Sequence, residues 1–253
     1  MPGIDDREYH KVAPVPDGPR PSIYELREPP VDLGAWLDAA LPALRGARVL
    51  DAGCGPGMYV PATRQRAREL VALDIAHGRL GDVDHPRRVC GDVQALPFPD
   101  TSFDVVMAMH MLYHVPDIPL AAAELRRVLR DSGVLYAFTN SERAQHELLD
   151  LVTQCGGDAA AFGDARFSNE TGGALLATAF ADVVLVEDTS TRLVVTDAEC
   201  IVDEVVRLRY ALEPSVERSW DGFVADVRSG AQAVIDREGA FVMSENHGLF
   251  TCR

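Results

Sequence analysis

The sequence has no C-x-x-C pair, and its five cysteines (Cys54, Cys90, Cys155, Cys200, Cys252) are odd in number and far apart. That pattern argues against a disulfide framework or a zinc knuckle and fits a reducing cytoplasm. No run approaches the roughly 18 apolar residues that a membrane span needs. The acidic start "MPGIDDREYH" lacks the apolar stretch of a signal peptide. Basic charge is scarce as well: 24 Lys+Arg against 39 Asp+Glu give a formal charge of −15. The one densely basic stretch, "RQRAR" at 64–68, suits a face of a surface helix. A polyanionic partner would meet a repulsive field. Repeats and low-complexity segments are also missing. The expectation is a cytoplasmic monomer or homodimer with no nucleic-acid or membrane partner and no bound metal.

What the sequence does hold is ordinary globular composition, 47% hydrophobic and 25% charged over 253 residues. That length allows one large domain or a domain with a substantial insertion. Residues 1–30 include a proline-rich stretch, "KVAPVPDGPRPSIYELREPP", which predicts an extended arm. Leu33, Trp36, Leu37, Ala40, Leu41 and Leu44 then mark a helix that Pro42 is expected to bend or divide. From there short apolar strands ("ARVLDAG", "ELVALD", "RRVCGD", "FDVVMAMH", "VLYAFTN") alternate with helical stretches at 61–69, 76–81 and "PLAAAELRRVLR", the last stopped by Gly133. Alternation of this kind predicts right-handed crossovers and a doubly wound, mostly parallel sheet.

Further helices are expected near 141–153 and 171–179, then a strand "ADVVLVED" and one final strand within "GAFVMSENHGLFTCR". Between those strands lie helices, the first capped by Thr196 and Glu199 and running to about 212, the second over 215–238. Such a connection, about residues 190–240, far exceeds the usual link of roughly 2–6 residues. Its apolar face (Ile201, Val205, Leu208, Leu212) is expected, with the arm, to roof an acceptor site, the alternatives being a dimer interface or completion of the core.

The densest signal is "RVLDAGCGPGMY", where Gly53, Gly55 and Gly57 follow a strand closed by Asp51. Ligands of open α/β sheets bind at the carboxyl ends of strands, where glycine lets them approach backbone. The spacing is G-x-G-x-G, not the G-x-G-x-x-G of a dinucleotide site, and an acid beside a pyrophosphate would repel it. A cationic or zwitterionic ligand fits better.

"VLDAGCGPG" resembles the first motif of class I S-adenosylmethionine (SAM)-dependent methyltransferases. "VALD" (71–74) resembles their second, and "CGDVQALPFPDTSFDVV" the third and fourth. "HMLYHVPD" is similar to the His-bearing loop of the type 11 branch, related to ubiquinone and menaquinone methyltransferases. "ELRRVLRDSGVLYAF" is similar to the helix and strand that follow, with Asp131-Ser132 in place of Pro-Gly. The likeness covers about residues 45–140. It implies a Rossmann-like, seven-stranded sheet with an antiparallel last strand, in a methyltransferase domain over 31–253. SAM would be the cofactor and S-adenosylhomocysteine (SAH) the product.

The resemblance also implies residue roles. Asp51 would favour the methionine ammonium, with N–H groups near Gly55 and Gly57 facing its carboxylate. Asp74 would take the ribose hydroxyls, with Ile75 beside it. Asp92 and the Val93 N–H would hold adenine, and Met109 or Leu96 would pack on its faces. Tyr59 would line the cofactor pocket. His110 and His114 flank the end of the fourth strand, where an imidazole can take a proton from an acceptor. The expected reaction is methyl transfer to an O, N or C atom of a small molecule, with secondary metabolism as one setting. An RNA methyltransferase and a non-catalytic SAM-binding protein are the alternatives.

Overall fold

A computed structural model describes residues 20–158 and 166–253, so residues 1–19 of the expected arm, Tyr9 among them, lie outside the described residues. Ten strands occur among the described residues: β1 Arg27–Glu28, β2 Arg48–Ala52, β3 Glu69–Asp74, β4 Arg88–Cys90, β5 Phe103–Met109, β6 Leu129–Asn140, β7 Val183–Asp188, β8 Arg192–Val195, β9 Phe241–Ser244 and β10 His247–Cys252. The chain divides into two compact units. One comprises residues 32–142, 165–187 and 247–253, and the other residues up to 31, 143–164 and 188–246.

The first unit is the sheet unit. Its seven strands run in the order β4-β3-β2-β5-β6-β10-β7, with β2 to β6 paired in parallel and β10 antiparallel to β6. β2, β3 and β5 are buried almost without interruption, as central parallel strands must be. After β4 the chain crosses back to lay β5 on the other side of β2. The carboxyl ends of β2 and β5 therefore form the switch point at which such sheets bind ligands. Helix Ile118–Val128 covers one face through Ala121, Ala122, Leu125 and Val128, and Asp117 caps it by accepting from the Leu120 N–H at 3.0 Å.

Two boundaries differ from the sequence expectation. The helix expected over 61–69 is only Val60–Arg64. The Arg66 guanidinium takes the Ala62 and Gly34 carbonyls and Asp38, while the Arg68 N–H turns to Ala47 O, so the helical ladder stops. β6 begins at Leu129 rather than after Gly133. Residues 130–133 form a bulge between the pairs Phe103–Leu129 and Val105–Val134, where the Arg130 side chain pairs with Asp104.

The second unit holds a small antiparallel sheet, β1-β8-β9, and helices His146–Gln154, Ala198–Arg207 and Trp220–Glu238. The proline-rich segment is therefore structured at its described end. Ile23 is buried, and Arg27 pairs with the buried Glu245 at 2.5 and 2.8 Å. Two strands, β9 and β10, replace the single final strand. Asp197, not Thr196, caps its helix, accepting from the Glu199 N–H at 2.9 Å.

Ile201, Val205 and Leu212 are fully buried in this unit's own core with Leu193, Phe223 and Val227. The face expected to line an acceptor pocket thus completes a core instead. Apolar periodicity announces burial without saying against what.

Candidate cofactor and acceptor site

The glycine turn sits just past β2, and all three glycines are left-handed, with φ of 72° at Gly53, 53° at Gly55 and 87° at Gly57. They serve different ends. A Cβ on Gly53 would come within 2.8 Å of the Met111 side chain, and one on Gly57 within 3.2 Å of Val83. A Cβ on Gly55 would meet no atom of the described residues beyond its chain neighbours within 4 Å. Two of the glycines therefore make room for the protein's own side chains, and Gly55 alone opens onto unfilled space.

The expected N–H donors are also engaged: Gly55 N–H donates to Asp74 Oδ2 at 2.7 Å, and Gly57 N–H to Cys54 O at 2.9 Å. This corrects the expectation that these two groups face a carboxylate. The turn needs them to hold its own shape.

Three acids stand at strand ends. Asp51 is 1% exposed, and neither carboxylate oxygen has a hydrogen-bond partner among the described residues. Burial, and then the charge of Asp74, pushes its pKa up to about 7. An orphaned buried carboxylate is costly unless a cation or donor meets it. The methionine ammonium of SAM supplies both, so the donor set fits this cofactor.

Asp74, also buried, accepts from Gly55 N–H and, through Oδ1, from Ala76 N–H at 2.8 Å. A carboxylate offers about four lone-pair directions. One on each oxygen thus remains for a ribose diol. Ile75 is partly buried beside it, its carbonyl 3.5 Å from the exposed Cys90 thiol. Gly91 N–H donates to Asp74 O, which brings Asp92 to the same edge of the sheet. Asp92 caps the turn Val93–Ala95 and accepts from Gln94 N–H at 2.8 Å and from the Gln94 amide. Val93 and Met109 are buried, and so is Tyr59, whose ring lies 6.5 Å from Trp36.

Cys54 is buried inside the turn. Burial and the two acids raise its thiol far above the usual range, so it is an inert filler.

The two histidines differ. His110 adopts φ 54°, with its N–H donating to Phe138 O at 2.8 Å. Its ring meets Phe138 edge-on at 4.7 Å and lies 5.6 Å from the ring of His247. His114 is exposed at the end of the turn Leu112–His114, packed edge-on against Tyr113.

Sequence reasoning missed Met111, Asn140 and His247. Only the pairing of β10 against β6 puts His247 opposite Asn140, and no local pattern in "ENHGLF" signals that register.

Residues 50–137 match a methyltransferase domain family. A malonyl-[acyl-carrier protein] O-methyltransferase of Serratia marcescens is 36% identical over 118 residues, 45% of this chain and 46% of its own length. The chain spans about half the length of the curated relatives it matches. Among solved structures, a chain assigned to an antibiotic biosynthesis pathway of Anabaena variabilis ATCC 29413 superposes with TM-score 0.62 at 17% identity, over 87% of this chain and 96% of that one. A SAM-dependent methyltransferase from Archaeoglobus fulgidus gives TM-score 0.54 at 16% identity, over 87% and 93%. At that identity the likeness is one of fold. Residues 50–137 thus match a methyltransferase domain, on a fold shared with class I SAM-dependent methyltransferases.

Proposed function

We propose that the chain transfers a methyl group from SAM to an oxygen, nitrogen or carbon atom of a small molecule. The observation that carries this reading is Asp51, a buried carboxylate with no hydrogen-bond partner among the described residues, beside a left-handed glycine turn. SAM, when bound, would supply an electrophilic methyl group for transfer to the acceptor, with SAH as the leaving group. Methyl transfer asks the protein mainly for proximity, orientation and a tuned, dry site.

Each residue then has a task. Asp51 receives the ammonium, and Asp74 accepts the ribose hydroxyls while holding Gly55 in place. Asp92 and Val93 bind adenine, with Ile75, Tyr59 and Met109 closing the apolar walls. His110, aimed by its left-handed backbone, orients the acceptor or takes its proton. His114, exposed on its turn, is the weaker candidate for that role.

The acceptor is a small molecule, and the charge of −15 works against nucleic acid. Relatives named for O-methylation of a malonyl group on a carrier protein supply the first compound to screen, malonyl-N-acetylcysteamine. The 188–246 segment, which the cofactor roles do not need, is the candidate for acceptor choice. Hydrogen exchange with and without acceptor, on SAH-loaded protein, tests it: new protection there on acceptor addition supports the assignment, and none contradicts it.

Calorimetry with SAM, SAH and NAD tests the main reading. Binding of SAM and SAH without NAD is expected. NAD binding without SAM would sink it.

A further inference from the structure

His247 opens β10, the strand antiparallel to β6, so it stands at the same edge of the sheet as the carboxyl ends of β5 and β6. Directly opposite is Asn140, the last residue of β6. The His247 Nδ1 and the Asn140 Oδ1 are 2.9 Å apart. An amide oxygen only accepts, so with Asn140 in this orientation the hydrogen of the contact sits on His247 Nδ1. The His247 ring lies 5.1 Å from Phe138 and 5.6 Å from His110. Phe138 in turn meets the His110 ring at 4.7 Å. Three neighbouring strands thus converge on one imidazole whose backbone is held left-handed at φ 54°. A non-glycine residue keeps that conformation only where its surroundings over-determine it.

We propose that His247, oriented by Asn140, is a positioning residue that fixes the His110 ring for the methyl acceptor. The inference rests on the methyl-transfer reading. Asn140 sets the tautomer and tilt of His247, and His247 and Phe138 together set the ring plane of His110. Misplacement of a reacting group by about 1 Å can cost roughly a hundredfold in rate. A device that fixes one ring is therefore worth its structural expense.

The test uses the full chain loaded with SAH. Long-range 1H–15N imidazole spectra, assigned with single His→Gln variants, report the tautomer of His247 and the signals of His110. Wild type is expected to show His247 as Nδ1–H. Asn140→Ala loses that signature and moves the His110 signals. Asn140→Asp, which keeps an accepting oxygen, restores both. A residue that merely packs would not separate Ala from Asp in this way. In methyl transfer to malonyl-N-acetylcysteamine, Asn140→Ala and His247→Gln lower kcat by about 10–100-fold with an unchanged KM for SAM. An Nε2–H tautomer in wild type, or His110 signals that neither Asn140→Ala nor His247→Gln moves, would overturn the proposal. Failure of the wild type to bind SAH in calorimetry would strike the methyltransferase reading instead, and the tautomer would still decide the pair.

Discussion

The buried acids of the two units are treated in opposite ways. In the 188–246 unit, Glu245 is fully buried but held by Arg27 through two contacts, and Glu204 is held by Arg207 and by the Tyr24 hydroxyl at 3.3 Å. Tyr24 itself is pushed up to about 12 by burial and the Glu204 charge, so it stays a neutral donor. In the sheet unit, and among the described residues, neither Asp51 oxygen has a hydrogen-bond partner, and Asp74 accepts from the Gly55 and Ala76 N–H groups. A buried acid paired with arginine has its charge compensated, so breaking the pair costs stability. An acid left unpaired costs stability and is explained by a ligand. The contrast separates the part of the molecule that holds itself together from the part that waits for a cofactor.

The largest effect expected lies at the acceptor end of the sheet unit. His110→Ala should lower turnover by about 10²–10⁴ if the ring acts as base, with little change in SAM affinity. Near-normal turnover would leave His110 a structural role only. His114→Ala is the internal comparison and should do much less.

The second prediction sets the paired acid against the unpaired one. Glu245→Ala removes the buried carboxylate that pairs with Arg27 and should cost about 2–4 kcal/mol in urea unfolding, the lower range reflecting the partial exposure of Arg27. SAH affinity per folded molecule should not change. A shift in SAH affinity comparable to the stability loss would erase the distinction between the two regions. Asp74→Ala should weaken SAM by about 1–3 kcal/mol, because it unpairs the ribose hydroxyls and frees Gly55. Unchanged affinity in calorimetry would remove Asp74 from the site.

The smallest effect concerns stability and pH. The carboxyl of Asp51 titrates near 7 in the folded chain, against 3.8 for an ordinary aspartate. The folded state therefore keeps a proton that the unfolded chain loses. Its contribution is full below about pH 4 and is lost as pH rises through about 7. Asp51→Asn should flatten that slope and stabilise the ligand-free protein at pH 8 by about 1–3 kcal/mol. A variant less stable than wild type at pH 8 would show that the carboxylate has a partner after all.

The sheet unit was largely legible in the sequence because its signals are local. Near-continuous apolar runs such as "ELVALD" name central strands, and the left-handed glycines between β2 and the next helix name the turn. What escaped was set by distant pairing. The bulge at residues 130–133 depends on Arg130 reaching Asp104. The small sheet depends on Arg27 pairing opposite Leu193, more than a hundred residues away. His247 depends on the register of β10. The use of Gly53 and Gly57 was legible as a need for glycine but not as room for Met111 and Val83, since a sequence does not say whose atoms fill the space.

The most direct test is calorimetric titration of SAH into the wild type and Asp51→Asn between pH 6 and pH 8. An ammonium held by the Asp51 carboxylate requires the ionised form, so binding below about pH 7 must release a proton. Wild-type affinity is expected to fall by up to about tenfold per unit as pH drops below 7. Asp51→Asn should bind more weakly at pH 8 and lose that pH dependence. Wild-type SAH affinity that is flat across this range and equal to that of Asp51→Asn would contradict the account.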